Sequence, residues 1–351
     1  MNRFSAILLA VLTATAVAAP SAGSETTATF ADMPDYQPGS KALEGTLTAI
    51  GSDTLGEVMD AWVEAFTAFH GDVSTEIRSQ GSQTAVPALQ QGRTLLAPMS
   101  RRMTKGEEAA FKDIFGYQPT AFIVSLDALA VYVHKDNPIY GLTMGQLDQV
   151  FSSTHMCGGD PITRWEELAV GTRTVGRIRV LGRNTVSGTY EFFRKTALCN
   201  GAFRTDYVEH EDSAAVIKAV AADINAIGFA GLGYNQPNVR PIAIAQGRDP
   251  YSARFFPVYV EKFTNSDDPD KRFAYVLDGR YPLSRPLFIY VNREPGKPMT
   301  PLTQAFLDFV LSSQGQSIVL KNGFVPLPAK TLERERRKLA PDYQPRRWWF
   351  E

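Results

Sequence analysis

The sequence alternates short apolar runs with amphipathic segments of helical length, and this alternation constrains the fold more than any other feature. The apolar runs, which have the length of buried strands, are Leu47–Ile50, Phe122–Val124, Ala128–Val133, Ile178–Leu181, Ile227–Ala230 and Pro286–Val291. The segments with helical spacing of apolar residues are Glu57–Phe69, Ala85–Gln91, Met144–Phe151, Ala214–Ala222 and Thr303–Leu311. Strands that alternate with helices predict an α/β fold in which helices flank mixed, mostly parallel sheets.

The first residues have the organisation of an export signal. Arg3 precedes an apolar run from Ala6 to Ala18, and small residues follow up to Pro20. We therefore expect a signal peptide over 1–22, cleaved near its end, and a protein of the periplasm or one that is secreted. Residues 23–45 are rich in small and polar residues without period, and we expect them to form a flexible leader.

Length and charge limit the classes of function. A chain of 351 residues can bury two lobes of ordinary domain size. Its formal net charge of -1 creates no overall field that would recruit nucleic acid, so we expect no nucleic-acid partner. An anion would have to be held by a local site.

The chain has two cysteines, Cys157 and Cys199. In an oxidising compartment we expect them to form a disulfide, which would stabilise the fold by roughly 4 kcal/mol in the chain-entropy model. The alternative is a metal site that uses His155 and Cys157, but it lacks two further ligands at a usual spacing. We predict no metal and no cofactor.

Three turns rich in glycine and hydroxyl groups each connect an apolar run to a helical segment. They are Gly51–Leu55, Gly81–Thr84 and Ser187–Thr189. Each turn opens a helix, so free backbone N–H groups and the positive end of the helix dipole would face one crevice at the carboxyl ends of the strands. Taken singly, each turn is weak evidence for a site, because Ser or Thr before a helix is most often a plain N-cap.

Two positively charged groups lie near these turns in the sequence. Arg183 precedes Ser187 by four residues, and its guanidinium has the geometry to bind two oxygens of an oxyanion. Ser100 and Arg101 follow the apolar pair at 95–96, and we expect one of the two arginines at 101–102 to be a surface charge.

Together these segments resemble the periplasmic phosphate-binding proteins of the PstS type, which have the two-lobed type II periplasmic binding protein fold. The resemblance covers about Leu47 to Pro328. The matching segments are Ile50–Leu55, Gln80–Ser82, Met99–Arg101, Arg183 with Ser187–Thr189, Asp127–Pro138, Ile227–Tyr234, Arg285–Tyr290, Ser313–Gln316 and Gly323–Leu327. The spacing of Arg183 with Ser187–Thr189 is the most diagnostic of these.

The resemblance implies that the chain crosses twice between the lobes, with the ligand in the cleft. We place the crossings near Asp127 and Gly231, so that lobe 1 comprises 46–126 and 235–330 and lobe 2 comprises 127–234. The phosphate-binding residues that it implies, with their sequence neighbours, are Ser52, Asp53, Thr54, Leu55, Ser82, Ser100, Arg101, Arg183, Ser187, Gly188 and Thr189.

At one position the residue of this chain differs from the residue in many members of that family. They have an Asp where this chain has Ser100, and that carboxylate accepts the proton of hydrogen phosphate and rejects sulfate. Another branch has Ser-Arg, as here. Asp53 either takes over as the proton acceptor or is a cap of the first helix.

The resulting expectation is a monomeric binding protein, without enzymatic activity, that binds inorganic phosphate by lobe closure and delivers it to the permease of an ABC importer. A secreted phosphatase is the first alternative, although the four histidines, His70, His134, His155 and His210, lack ligand spacing. An adhesion or matrix protein is the second. Such a protein would contact its partner through the basic, aromatic tail at 331–351. The same tail is equally consistent with a helix and an extended segment that pack on the body of the protein.

Overall fold

The computed structural model describes residues 30–168, 176–234, 236–259, 262 and 268–345. The expected signal peptide, the start of the leader at 23–29 and the tail residues 346–351 lie outside the described residues.

Strands and helices alternate through the chain as the sequence predicts. The strands are β1 (Gly45–Gly51), β2 (Val73–Ser79), β3 (Ala97–Met99), β4 (Thr120–His134), β5 (Gly141–Thr143), β6 (Arg179–Arg183), β7 (Val208–His210), β8 (Ala226–Gly231), β9 (Val239–Pro241), β10 (Ala243–Ala245), β11 (Phe255–Phe256) and β12 (Ser284–Val291). The helices are α1 (Gly56–Thr67), α2 (Ser82–Gln90), α3 (Lys105–Phe115), α4 (Met144–Phe151), α5 (Gly188–Ala197), α6 (Ser213–Ala221), α7 (Pro269–Arg272), α8 (Ala274–Leu277), α9 (Pro301–Val310), α10 (Ser313–Lys321) and α11 (Ala329–Arg337).

The strands form two lobes, each with parallel pairs at its outer side. In lobe 1, β1 pairs in parallel with β2 and contacts the start of β3 through the bridge between Ala49 and Leu96. In lobe 2, β6 lies between β7 and β8 and is parallel to both. The middle of the molecule is antiparallel, because β12 runs opposite to β3 and β4, and β4 runs opposite to β8. The predicted α/β class with mixed sheets is confirmed.

One long strand joins the lobes. The two apolar runs expected around 122–124 and 128–133 are parts of β4, which has 15 residues. Its first half pairs with β12, where Leu126 lies opposite Pro286, and its second half pairs with β8, where Leu129 lies opposite Gly231. Two large hydrophobic cores lie on either side of this change of partner, so β4 passes from lobe 1 to lobe 2 beside Asp127.

The return to lobe 1 lies far from the position expected from the sequence. β9 pairs with the end of β4, and β10 pairs with β5, so both extend lobe 2. Phe273, Tyr281 and Leu283 also pack into the core of lobe 2. The structure therefore moves the second boundary from 234/235 to about Leu283. Strands of two or three residues leave no period in the sequence, and their lobe is decided by their distant partners.

Both ends of the described chain pack on lobe 1. Within the segment expected to be a flexible leader, Phe30 and Tyr36 are instead buried. Tyr36 Oη lies 2.7 Å from His70 Nε2. In the tail, α11 buries Leu332, and the carboxylate of Glu335 accepts a hydrogen bond from the backbone of β4. For the described part of the tail, the structure agrees with a helix packed on the body.

The predicted disulfide between Cys157 and Cys199 is present, with Cα atoms 5.4 Å apart. Cys157 follows α4 and Cys199 follows α5, so the bond links the ends of two helices of lobe 2. Across the described ranges, no helix is both long enough and apolar enough to cross a membrane.

Candidate anion-binding site

Three helices begin at the cleft between the lobes. Helices α1 and α2 follow β1 and β2 of lobe 1, and α5 follows β6 of lobe 2. The first N–H groups of each helix have no acceptor within the helix, and the helix dipole adds a positive potential at the same end. Thr54 Oγ1 and Thr189 Oγ1 lie 2.9 Å apart across the cleft, which shows that the starts of α1 and α5 meet.

Serine hydroxyls from lobe 1 face the start of α5. Ser82 Oγ lies 3.2 Å from Ser100 Oγ and accepts a hydrogen bond of 3.0 Å from the Ser100 backbone N–H. A Cβ atom added to Gly188 would lie 2.4 Å from Ser82 Oγ and 2.5 Å from Ser100 Oγ. A side chain at position 188 would therefore force both hydroxyls to move when the lobes approach this closely.

The predicted site residues are all buried, although they come from separate parts of the chain. Ser52 Oγ has no hydrogen-bond partner among the described residues. Ser187 caps α5 by accepting a hydrogen bond from the Thr189 backbone N–H, and Leu55 is the N-cap residue of α1. The structure thus brings the three predicted turns together at one position between the lobes.

Arg183 is buried, with 1% of its side chain exposed, and is held by protein groups on several sides. Nη1 donates to the carboxylate of Asp53 and, at 3.3 Å, to Ser213 Oγ, and Nη2 donates to the Glu211 carbonyl at 2.6 Å. Its guanidinium is therefore not the free two-pronged donor expected from the sequence. It forms an ion pair between the lobes that leaves Arg183 Nε and Asp53 Oδ1 without partners in the described part of the chain.

Arg101 has a different position from the one expected. Its Nη1 and Nη2 donate to the two carboxylate oxygens of Glu107 at 2.7 and 2.8 Å. Burial raises the pKa of Glu107, but the hydrogen bonds from Arg101 and Thr104 outweigh it, so the net pKa is lowered. Arg101 therefore anchors the start of α3 and lines a surface cavity of about 520 Å³, while its neighbour Ser100 joins the hydroxyl cluster.

The sequence analysis assigned no role in the site to Arg285, Tyr234 or Asp127; the first two contact site residues, and Asp127 holds Arg285. Arg285 Nη2 donates to Thr189 Oγ1 at 2.9 Å and to Asp127 at 2.7 Å. Tyr234 Oη donates to the backbone carbonyl of Asp53 at 3.1 Å, and burial raises the pKa of its phenol. In the sequence, Asp127 and Arg285 begin two of the segments that match the family, but a charged residue beside an apolar strand is too common to assign a contact to it.

Further contacts hold the lobes together at the edge of the cleft. The Gln83 backbone N–H donates to the Val186 carbonyl at 3.3 Å, and its Nε2 donates to the Thr185 carbonyl at 2.7 Å. A Cβ atom on Gly81, which has a φ of 99°, would lie 2.7 Å from the Val186 carbonyl oxygen. The structure is therefore that of a closed clamp. Among the described residues, no group of three or more His, Cys, Asp or Glu side chains could hold a metal ion.

The geometry agrees with the comparison with known proteins. The model of the PBP superfamily domain matches residues 18–314. Over 335 residues the chain is 41% identical to the phosphate-binding protein PstS of Pseudomonas aeruginosa, which covers 95% of this chain and 98% of that protein. The chain belongs to the PstS family. This confirms the resemblance that the motifs indicated.

Solved structures of similar proteins support the fold. An ABC-type phosphate transport receptor from Vibrio cholerae matches with a TM-score of 0.59 and 20% identity, covering 80% of this chain and 100% of the receptor. A phosphate binding protein from Stenotrophomonas maltophilia matches with a TM-score of 0.60 and 14% identity, covering 84% of this chain and 94% of that protein. At these identities the PstS family member described here shares their fold.

Proposed function

We propose that this protein binds inorganic phosphate between its two lobes and delivers it to the permease of an ABC importer. The observation that carries the proposal is the meeting of three helix N-termini, with buried hydroxyl groups and Arg183, at one closed position between the lobes. A small tetrahedral oxyanion needs many N–H and O–H donors in a site from which water is excluded.

The donors fall into two sets, one from each lobe. Lobe 1 contributes the Ser52, Thr54, Ser82 and Ser100 hydroxyls and the Leu55 amide. Lobe 2 contributes the Gly188 amide, the hydroxyls of Ser187 and Thr189, and the Nε of Arg183. Closure would bring the sets together around the anion, and the closed form would be recognised by the permease. No group in the set has to form a covalent bond, so we propose a binding protein and not a phosphatase.

Asp53 is the proposed acceptor of the phosphate proton. Its carboxylate is buried, one oxygen is held by Arg183, and Oδ1 has no partner among the described residues. Hydrogen phosphate and dihydrogen phosphate can donate a proton to that oxygen, whereas sulfate at neutral pH would place two acceptors face to face. The hydroxyl of Ser100 then replaces the carboxylate that many family members have at that position.

The same proposal covers location and assembly. The export signal expected at 1–22 places the mature protein in the periplasm, where an importer receives its ligand. One chain contains both lobes and all the proposed donors, so a monomer is sufficient for binding.

Calorimetric titration of the extensively dialysed protein with phosphate and with sulfate, at pH 6 and pH 8, tests the proposal. We expect phosphate to bind at both pH values and sulfate to bind at least about 100-fold more weakly, because an unpaired buried acceptor costs roughly 3 kcal/mol. Asp53→Asn should narrow this preference, since an amide can donate to sulfate. If phosphate does not bind, the proposed function is wrong; if sulfate binds as well as phosphate, the proposed role of Asp53 is wrong.

A further inference from the structure

One buried carboxylate connects the two chain segments that pass between the lobes with the end of β8. Asp127 lies where β4 changes lobes, Leu232 follows the end of β8, and Arg285 lies at the start of β12. Asp127 Oδ1 accepts a hydrogen bond from the Leu232 backbone N–H at 3.2 Å. Oδ2 accepts from Arg285 Nε at 2.9 Å and Nη2 at 2.7 Å. A rotation of one lobe against the other must therefore move, or be transmitted by, this group.

Arg285 extends from that point to the start of α5. Its Nη2 also donates to Thr189 Oγ1 at 2.9 Å, and its Cζ lies 5.2 Å from the centre of the Phe192 ring. Both contacts are in the first turns of the helix that contributes donors from lobe 2. Thr189 Oγ1 in turn touches Thr54 Oγ1 of lobe 1 at 2.9 Å. A continuous set of polar contacts thus connects the hinge to the position proposed for the anion.

The ion pair between Arg285 and Asp127 does more than neutralise two buried charges. Arg285 and Asp127 have 1% and 0% of their side chains exposed, so both charges are desolvated. A buried ion pair is weak evidence for stability, since the desolvation cost offsets the Coulombic attraction. In addition, Arg285 Nη1 has no hydrogen-bond partner among the described residues. A buried, unsatisfied guanidinium N–H is costly, and it adds positive potential beside the donors of α5.

We propose that Arg285 is a positioning residue that holds the N-terminus of α5 in place for the anion and couples anion binding to rotation of the lobes. It fixes the Thr189 hydroxyl, while Asp127 ties the guanidinium to β4 and, through the Leu232 backbone N–H, to the end of β8. This inference rests on the proposed binding of phosphate. It predicts that loss of the guanidinium weakens phosphate binding and also reduces the closure that accompanies binding.

The test compares Arg285→Gln, Arg285→Lys and the double variant Asp127→Asn/Arg285→Gln. The double variant removes both charges of the buried pair, so it can be measured if Arg285→Gln alone leaves an unpaired Asp127 and fails to fold. Phosphate affinity is measured by calorimetry, closure by the change in radius of gyration in X-ray scattering on adding phosphate, and stability by thermal unfolding without phosphate. We expect Kd to rise about 10- to 100-fold in Arg285→Gln and the double variant, as for loss of a charge-assisted hydrogen bond. Arg285→Lys should recover part of the affinity.

Arg293 provides a matched buried arginine. It is 3% exposed and donates to backbone carbonyls at Lys297, Lys338 and Ala340, away from the cleft. Arg293→Gln should lower the melting temperature and leave Kd and closure unchanged. If wild type binds phosphate and the folded Arg285 variants have the same Kd and the same closure, the inference is refuted while the proposed function stands. If the wild-type protein does not bind phosphate, the proposed function itself is wrong, and the inference about Arg285 is wrong with it.

Discussion

Replacing Gly188 by Ala should raise the free energy of the closed form without affecting the separated lobes. The added Cβ would lie 2.4 Å from Ser82 Oγ and 2.5 Å from Ser100 Oγ, both on the opposite lobe. Real Cβ atoms essentially never have contacts shorter than 3.0 Å, so both hydroxyls would have to shift. When the lobes are apart, the collision does not exist. The change keeps the backbone N–H at 188, which is the proposed donor.

Overpacking of a buried contact costs about 1–3 kcal/mol, and about 1.4 kcal/mol corresponds to a tenfold change in affinity. Gly188→Ala should therefore raise the Kd for phosphate by roughly 5- to 150-fold. Without phosphate the variant should be no less stable than wild type, because Ala favours helix by up to about 1 kcal/mol over Gly. Calorimetry gives the Kd, and thermal unfolding gives the stability.

Gly106→Ala is the matched control. Gly106 also lies in the first turn of a helix, α3, but its added Cβ would meet nothing closer than Thr104 Oγ1 at 3.9 Å. We expect that variant to keep the wild-type Kd. An unchanged Kd in Gly188→Ala, with both variants folded, would show that closure does not bring Gly188 against Ser82 and Ser100 when the anion binds.

Two further predictions concern stability. Replacing Cys157 and Cys199 by Ser should lower the free energy of unfolding by up to about 4 kcal/mol, because the bond closes a loop with a sequence separation of 42. Chemical denaturation, with the m-value fitted separately for the variant and for wild type, measures the difference. An unchanged free energy of unfolding would contradict this prediction. In the folded state the pKa of Glu107 is lowered from its ordinary value of 4.5, so ionised Glu107 stabilises the fold above about pH 4.5. This stabilisation is lost as the pH falls through the lowered pKa of the folded protein. Glu107→Gln should therefore be less stable than wild type at pH 7, and the gap should narrow toward pH 3; a gap that does not change with pH would contradict the pairing with Arg101.

Much of the site could be predicted because its donors are local. A strand followed by a glycine and hydroxyl turn and then a helix leaves a signal within about ten residues, as at Gly51–Leu55. The position of each arginine could not be predicted in the same way. Arg101 and Arg285 both adjoin apolar strands, yet Arg101 pairs with Glu107, six residues along the chain, while Arg285 reaches Thr189, 96 residues away.

The amino-acid sequence by itself determined the α/β class, the three helix starts, the disulfide and the family, because each depends on residue types at short spacing or on a pattern within one segment. The tertiary structure alone decided which lobe contains β9, β10 and Tyr281, the pairing of Asp53 with Arg183 and the contact of Arg285 with α5. Asp53 and Arg183 are 130 residues apart. They meet because the registers of several strands and the closure of the lobes place them together, and those depend on packing across the whole chain.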